Sequence, residues 1–295
     1  MKLKITSAAI ALALGVSLVA CGGSDSDQTG TLALSVTDAP IDGATEVVVT
    51  FNGVEIKPQN GGSTIINFDE PKTIDLFALQ NGETAPLLQN TTLDAGEYNW
   101  IRLVVDADQG EIDSYISFED GSTHSLYIPS GSNTGLKLNS GFTIAAGATA
   151  NFTIDFDLRK SVHKPAAEGQ DYMLRPSLRI LDNTEVGEIS GFIAPSVVED
   201  ASCEDGLAVY AYSGADVTAD DEGSATPPIT SAMPEYDANN DRYNYTLSFL
   251  LAGDYTVAVT CDADLDDPQS DDDWTSIAAS NVTVTVDQTT ELNFE

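Results

Sequence analysis

The residues best suited to binding a metal ion lie in the stretch DANNDR. Asp237, Asn239 and Asp241 occupy alternate positions, as the first three ligands of a calcium loop do. Arg242 stands at the sixth position, where an EF-hand loop needs glycine, and Ser248 stands where it needs a bidentate glutamate. Asn and Asp also favour tight turns between strands, and the turn is the better interpretation. We expect no cofactor unless this stretch binds calcium.

A second group of acidic residues lies in DADLDDPQSDDDW. Seven acids fall between Asp262 and Asp273, and hard cations prefer such oxygen ligands. A run of like charges also repels itself and usually forms a solvated loop. The sequence leaves both interpretations open, with the solvated loop preferred.

Catalytic patterns are missing from the sequence. There are two histidines, His124 and His163, and no Gly-x-Ser-x-Gly elbow, His-Glu-x-x-His motif or Cys-x-x-Cys motif. Paired carboxylates could serve a glycan hydrolase, but no single pair stands out among so many acids. We therefore predict a protein that is not an enzyme, and a glycan-active enzyme is the weakest alternative.

An aromatic ligand face is a further candidate binding site. Sugar binding needs an aromatic platform with polar groups at its edge, and residues two apart on a strand share one face. The alternative is ordinary cross-strand packing of aromatic rings, which is the preferred interpretation. The candidate residues are Tyr210, Tyr212, Tyr243, Tyr245 and Trp274.

Acidic residues dominate the charge of the chain. Twelve basic and 47 acidic residues give a formal net charge of −35. Loss of the first 20 residues, which carry two lysines and no acid, would make it −37. Such a chain repels nucleic acid and anionic headgroups, so we predict no nucleic-acid partner. The acids are spread along the chain, which favours a role in solubility over cation binding.

The first residues predict the location of the protein. Two lysines precede an apolar run that ends in Leu-Val-Ala-Cys, in the order of a secretory signal. This stretch resembles a bacterial lipoprotein signal. The resemblance implies cleavage after residue 20 and lipidation of Cys21. Gly22 follows in place of the aspartate that retains lipoproteins at the inner membrane. We therefore expect a lipid anchor in the outer membrane of a Gram-negative bacterium, on its periplasmic or outer side.

Two further cysteines remain after lipidation. Cys203 and Cys261 form an even pair in an exported protein, and disulfides persist in oxidising compartments. We expect a bond between them.

Alternating apolar residues and turn clusters indicate the fold. Stretches such as EVVVTFNGVEI and DYTVAVTCD alternate along the chain, as half-buried strands do. The sequence predicts an all-β protein with two tandem β-sandwich domains. The predicted segments are a signal peptide (1–20), a flexible tether (21–29), a first domain (30–185) and a second domain (186–295).

Two family resemblances accompany this division. GTLALSVTDAPIDGATEVVVTFNGVEIKP, followed by IDLFALQNG and DFDLRKSV, resembles the DUF4382 family of exported bacterial domains, for which no reaction is established. GEISGFIAP, GLAVYAYSG and the later LLAGDYTVAVTCD resemble the prealbumin-like modules called carboxypeptidase regulatory-like domains. The first resemblance implies an extracytoplasmic β-domain, and the second implies a seven-strand β-module.

One short phrase occurs in both predicted domains. LDAGEYNWIRLVVD and LLAGDYTVAVTCD each place a glycine two residues before a tyrosine. Gly96 and Gly253 suit a positive φ, and Tyr98 and Tyr255 suit the packing of a tyrosine corner.

The function predicted from the sequence is non-catalytic. We expect a lipid-anchored envelope protein that binds or adheres to a polysaccharide or another protein. The alternative is a structural spacer or assembly partner in an envelope complex.

Overall fold

Strands build nearly all the regular structure of the chain. The computed structural model describes residues 28–129, 135–165, 170–175, 177–199, 203 and 206–295. The predicted signal peptide, Cys21 and most of the tether lie outside the described residues.

Thirteen strands form the first half of the fold. They are β1 (Thr29–Ala39), β2 (Ala44–Pro58), β3 (Thr64–Asp75), β4 (Ala85–Asp94), β5 (Gly96–Asp106), β6 (Tyr115–Phe118), β7 (Thr123–Tyr127), β8 (Leu136–Leu138), β9 (Phe142–Ile144), β10 (Thr149–Asp157), β11 (Val162–His163), β12 (Tyr172–Leu174) and β13 (Leu178–Asp182). Sheet 1 has the order β13-β10-β1-β4. Sheet 2 has the order β11-β12-β7-β6-β2-β5-β8, with β3 also paired to β2 and β9 to β5.

The core of this first sandwich follows from alternation along its central strands. Leu32, Leu34 and Val36 of β1 are fully buried, and they lie in one apolar cluster with Val49 and Phe51 of β2. Residues two apart on a strand point to the same side, so β1 and β2 bring sheets 1 and 2 together face to face.

Eight strands form the second half. They are β14 (Val186–Ile193), β15 (Ala208–Ser213), β16 (Thr230–Ala232), β17 (Glu235–Asp237), β18 (Arg242–Leu251), β19 (Gly253–Thr260), β20 (Ser276–Val284) and β21 (Thr289–Glu291). Sheet 3 has the order β17-β18-β14-β21, and sheet 4 has the order β16-β15-β19-β20. Buried residues of both sheets, such as Ile189, Leu247, Val209 and Val257, share one cluster. The all-β sandwich architecture is confirmed. The boundary at residue 186 and the type of the second domain stay predictions.

Helical structure is limited to short turns in the described residues. These are α1 (Leu158–Ser161), α2 (Pro195–Val198) and 3₁₀ turns at Phe77–Leu79 and Ala263–Leu265. The turn at Phe77–Leu79 lies where the chain crosses from β3 in sheet 2 to β4 in sheet 1. Among the described residues, no helix has the length and apolar character needed to span a bilayer.

The repeated phrase forms the same corner in both sandwiches. Gly96 and Gly253 have φ of 151° and 158°. The hydroxyl of Tyr98 donates to the carbonyl of Asp94 at 2.8 Å, and that of Tyr255 donates to the carbonyl of Leu251 at 2.7 Å. Each tyrosine is buried and bonds the backbone four residues upstream, as tyrosine-corner residues do. The predicted corner is confirmed in both places.

Candidate functional site

A buried arginine joins the two sandwiches. β10 ends at Asp157, whose carboxylate accepts a hydrogen bond from the backbone N–H of Lys160 at 3.1 Å, an N-cap that starts α1. The turn directs Arg159 and Lys160 away from their own sheet. Arg159 is only 4% exposed, and the Nζ of Lys160 donates to the carbonyl of Pro228 at 3.0 Å. Both cations of the turn therefore reach the second half.

Side chains from both halves satisfy the guanidinium of Arg159. Its Nε and Nη2 donate to one carboxylate oxygen of Asp42 at 2.8 and 2.5 Å. Its Nη1 donates to the hydroxyls of Tyr210 at 3.1 Å and Ser231 at 3.2 Å. The carboxylate of Glu222 lies 3.6 Å from Nη1. We call this group, with Asp266, the Arg159 cluster.

Burial and neighbouring charges both shift the pKa values of the ionisable groups in the Arg159 cluster. Burial alone would lower the pKa of Arg159, but Tyr210, Asp42 and Glu222 together raise it well above its usual value. Burial and the nearby charge of Asp157 raise the pKa of Glu222 to about 7, although Arg159 attracts it. Desolvation therefore affects the pKa of Glu222 more than the ion pair with Arg159 does.

Tyr210 lies at the centre of the cluster and is fully buried. Its hydroxyl donates to the carboxylate of Asp266 at 2.7 Å, and its ring stacks on Trp274 with 5.5 Å between centroids. Burial raises its pKa above the ordinary tyrosine value. The hydroxyl of Tyr210 and all three nitrogens of the Arg159 guanidinium form hydrogen bonds with protein groups. This arrangement can hold two domains together. The second carboxylate oxygens of Asp42 and Glu222 have no hydrogen-bond partner among the described residues.

The predicted aromatic ligand face is wrong for its three buried tyrosines. Tyr210 and Tyr212 lie on the outer side of sheet 4, where Val217, Ala219 and Trp274 pack against their cluster. Tyr212 is 1% exposed, and its hydroxyl accepts from the N–H of Asp220 at 3.1 Å and donates to the carbonyl of the same residue. Tyr245 points instead into the core between sheets 3 and 4. These rings belong to two separate interiors and cannot stack on a ligand.

The other two members of that face lie apart from each other. Trp274 is half-buried beside Tyr210. Tyr243 is half-buried on β18, next to the edge strand β17 of sheet 3, and its ring lies 5.0 Å from the ring of Tyr236. Tyr236 is 54% exposed, so Tyr243 is the member of the predicted face that lies beside an exposed aromatic ring.

The stretch DANNDR forms the turn between β17 and β18. The carboxylate of Asp237 accepts from the N–H of Asn239 at 2.9 Å and from the side chain of Asn240 at 2.6 Å. Asp241 has a φ of 50° and accepts from the hydroxyl of Tyr236 at 2.7 Å. The hydrogen bonds of this turn already engage both carboxylates. Calcium binding by Asp237, Asn239 and Asp241 stays a prediction.

The remaining predicted residues have clear positions. Cys203 and Cys261 form a disulfide with their Cα atoms 4.8 Å apart, which confirms the expected pairing. The ring of His124 contacts those of Phe118 and Tyr172. His163 lies on β11, where burial lowers its pKa.

A buried acid of the first half lies beside the same boundary. Asp38 follows Thr37 on β1 and is 8% exposed, and neither of its carboxylate oxygens has a hydrogen-bond partner among the described residues. Burial, followed by the charges of Asp155 and Asp157, raises its pKa well above the usual value. Asp38, Asp155 and Ser231 line a cavity of about 20 Å³ between the halves.

Sequence reasoning missed the Arg159 cluster. The available signal was the pair Arg159–Lys160 directly after a capping aspartate, in a chain with few basic residues. Its partners lie 51 or more residues away in the sequence, so no local pattern identifies them.

Comparison with known proteins identifies the first half. The family model described as "Domain of unknown function (DUF4382)" matches residues 29–176, which include β1 and the turn that carries Arg159. The chain belongs to the DUF4382 family. The family description names no activity, and none of the curated proteins matches the sequence.

Three solved structures of bacterial proteins have some likeness to the chain. The TIE protein of Bacillus anthracis is 10% identical with a TM-score of 0.21, and the alignment covers 90% of this chain and 34% of that one. GBS52, the minor pilin of Streptococcus agalactiae, is 13% identical with a TM-score of 0.20, covering 89% and 94%. Mfa2, the fimbrial anchor protein of Porphyromonas gingivalis, is 12% identical with a TM-score of 0.21, covering 85% and 82%. The chain spans about a third of the TIE protein chain. These TM-scores are too low to assign a shared function.

Proposed function

We propose that this DUF4382 protein is a non-catalytic, lipid-anchored component of the outer membrane that binds another envelope protein through two β-sandwiches held as one rigid unit. The Arg159 cluster carries the proposal. A buried arginine with partners in both halves fixes their relative orientation, because breaking a buried ion pair leaves uncompensated charge. A fixed orientation gives one continuous surface for a protein ligand.

The anchor is the second part of the proposal. The lipobox at residues 18–21 and the polar stretch GGSDSDQTG support lipidation of Cys21 followed by a flexible spacer. The tether would place the rigid unit a short distance from the membrane surface.

The test uses a strain that lacks the gene, complemented with the wild type, Cys21→Ser or Arg159→Met. We expect the wild-type protein in the detergent-soluble membrane fraction and Cys21→Ser outside it. We expect both variants to lose the cross-linked partner band that the wild type gives in intact cells. Wild-type protein that is absent from membranes, or that gives no cross-link to another envelope protein, would overturn the proposal. If the wild type is in the membrane but gives no cross-link, the alternative role of a structural spacer would be favoured.

Polysaccharide binding is the second candidate, and the Tyr236–Tyr243 pair favours it. An exposed ring beside the carboxylates of the β17–β18 turn has the composition of a small sugar-stacking site. Affinity electrophoresis in gels containing envelope polysaccharide tests it. Retardation that is lost in Tyr236→Ala but kept in Ile112→Ala, which changes another exposed apolar residue, would support this candidate. Equal migration in every gel would reject it.

A further inference from the structure

Two acidic loops pack together over the outer side of sheet 4. One loop joins β15 to β16, and the other joins β19 to β20. Gly223 lies where they meet, and a Cβ on it would be 1.5 Å from the carbonyl oxygen of Ser270. Such a distance is impossible for any other residue, so glycine permits the close approach. The backbones of the two loops are therefore in direct contact at Gly223.

Three carboxylates converge beside this contact. One oxygen each from Asp220, Asp221 and Asp271 lie within 4.8 Å of one another. Ca²⁺ binds oxygens at about 2.3–2.6 Å, so two of its ligands can be separated by up to about 5 Å across the ion. The three oxygens therefore fit around a single calcium ion.

Asp221 supplies an independent reason to expect a ligand. Its side chain is fully buried. One oxygen accepts a hydrogen bond from the N–H of Asp272, but the other has no partner among the described residues. Burying a carboxylate with an unsatisfied oxygen is costly. A bound cation would satisfy that oxygen.

Within the described chain, no basic side chain pairs with the three carboxylates. None of its five ion pairs includes Asp220, Asp221 or Asp271. Residues 186–295 contain a single basic residue, Arg242, and it lies on β18 in sheet 3 with its guanidinium over the ring of Phe192. Asp220, Asp221 and Asp271 thus depend on solvent or on a bound ion for countercharge.

Asp220 is also held in place by a buried residue. The hydroxyl of Tyr212 bonds both the N–H and the carbonyl of Asp220. A rigid backbone at a ligand lowers the entropy that is lost when an ion binds.

We propose that Asp220, Asp221 and Asp271 form a Ca²⁺ site that clamps the two acidic loops. The site does not require the envelope role proposed above. It has a consequence for that role, because Glu222 follows Asp221 directly. The N–H of Glu222 donates to Asp266 at 3.1 Å, and its carboxylate lies 3.6 Å from Arg159. Calcium would therefore hold the loop that contacts Arg159.

The test is isothermal titration calorimetry of Ca²⁺ into the full lipidated protein, purified in detergent and treated with EDTA. We expect one saturable site and a higher melting temperature with Ca²⁺ than with NaCl of equal ionic strength. We expect Asp221→Asn and the exposed-site variant Asp271→Asn to weaken Ca²⁺ binding by about tenfold or more, since even outer-shell changes cost ~10–100-fold.

The matched control is Asp287→Asn, which removes the same charge from an exposed position outside the two loops and should keep wild-type binding. Asp271→Asn changes a surface residue, so it reports on the site even if Asp221→Asn fails to fold. Absence of saturable binding to the wild type, or wild-type affinity in Asp271→Asn, would overturn the site. Equal affinity for Mg²⁺ would overturn its assignment to Ca²⁺. The calcium site and the proposed function can fail separately. If the wild type does not bind Ca²⁺ but still shows membrane anchoring and cross-linking, the calcium site is wrong and the proposed function stands.

Discussion

Arg159 and Tyr210 meet across the boundary between the two sandwiches, with the guanidinium donating to the tyrosine hydroxyl at 3.1 Å. The arginine comes from a turn after β10, and the tyrosine comes from the centre of β15. Both residues are almost fully buried. This pair makes the stability of each half depend on the other.

Replacing Arg159 should separate the two halves energetically. Arg159→Met leaves Asp42 and Glu222 without their cation in a buried site, and we expect a loss of about 3–5 kcal/mol. We also expect the wild type to melt in one transition and Arg159→Met to melt in two in differential scanning calorimetry. Arg175→Met removes the same charge from an exposed position and should melt like the wild type. A single unshifted transition in Arg159→Met would show that the cluster does not couple the halves.

Gly82 approaches the second half closely and should not tolerate a side chain. Its φ is +86°, and a Cβ would lie 2.6 Å from the hydroxyl oxygen of Ser248. Gly43 has a φ of +70° with nothing within 4 Å, so Gly43→Ala reports the backbone strain alone, about 1–2 kcal/mol. We expect Gly82→Ala to lose more stability than Gly43→Ala in urea denaturation.

The contact with Ser248 is the reason for that difference, so Ser248→Ala in the Gly82→Ala background should restore part of the loss. If Gly82→Ala and Gly43→Ala are equally stable, the close approach of Gly82 to Ser248 does not affect stability.

Asp38 should make stability fall as the pH rises. Its pKa in the folded protein is raised by burial and by Asp155, so the folded state binds more protons than the unfolded state above about pH 4. Stability is therefore lost as the pH rises through the folded-state pKa. Asp38→Asn removes this term. We expect its melting temperature to match the wild type near pH 4 and to exceed it at neutral pH.

The exposed acid Asp69 provides the control for net charge. Asp69→Asn removes the same charge without burial, so its difference from the wild type should change little with pH. A constant difference between Asp38→Asn and the wild type across this range would contradict the assignment.

The disulfide should contribute measurably to the stability of the second half. Cys203 and Cys261 are 58 residues apart in the sequence, and closing a loop of that length stabilises by about 4 kcal/mol in the chain-entropy model. We expect a double Cys203→Ser/Cys261→Ser variant to unfold at lower urea concentration. Thiol titration of the unreduced, denatured wild type should find neither residue free. Two reactive thiols would refute the bond.

Local patterns in the sequence were sufficient for the strands and the corners, and the number of cysteines was sufficient for the disulfide. Tyr98 and Tyr255 could be predicted because the glycine, the tyrosine and the bonded carbonyl lie within one hairpin. The expected fold class depended on alternation, which each strand carries by itself.

The tyrosine face could not be predicted correctly from the same signals. Alternation shows that Tyr210 and Tyr212 share one side of β15, opposite to Val209 and Ala211. It does not show that Trp274 and Arg159 cover that side, because both lie more than 50 residues away in the sequence. The acidic loops pose the same problem, since Asp221 and Asp271 become neighbours only when the loops fold over the sheet.

The distribution of basic residues has a consequence for how the chain can be rearranged. Residues 186–295 contain 23 acids and one arginine, and the cation that Glu222 contacts belongs to the other half. A fragment with only these residues would expose Tyr210, Glu222 and Asp266 together and lose their counterion. The second sandwich is therefore not an interchangeable module, and fusion to a different N-terminal partner would require a new arginine at the position that Arg159 occupies.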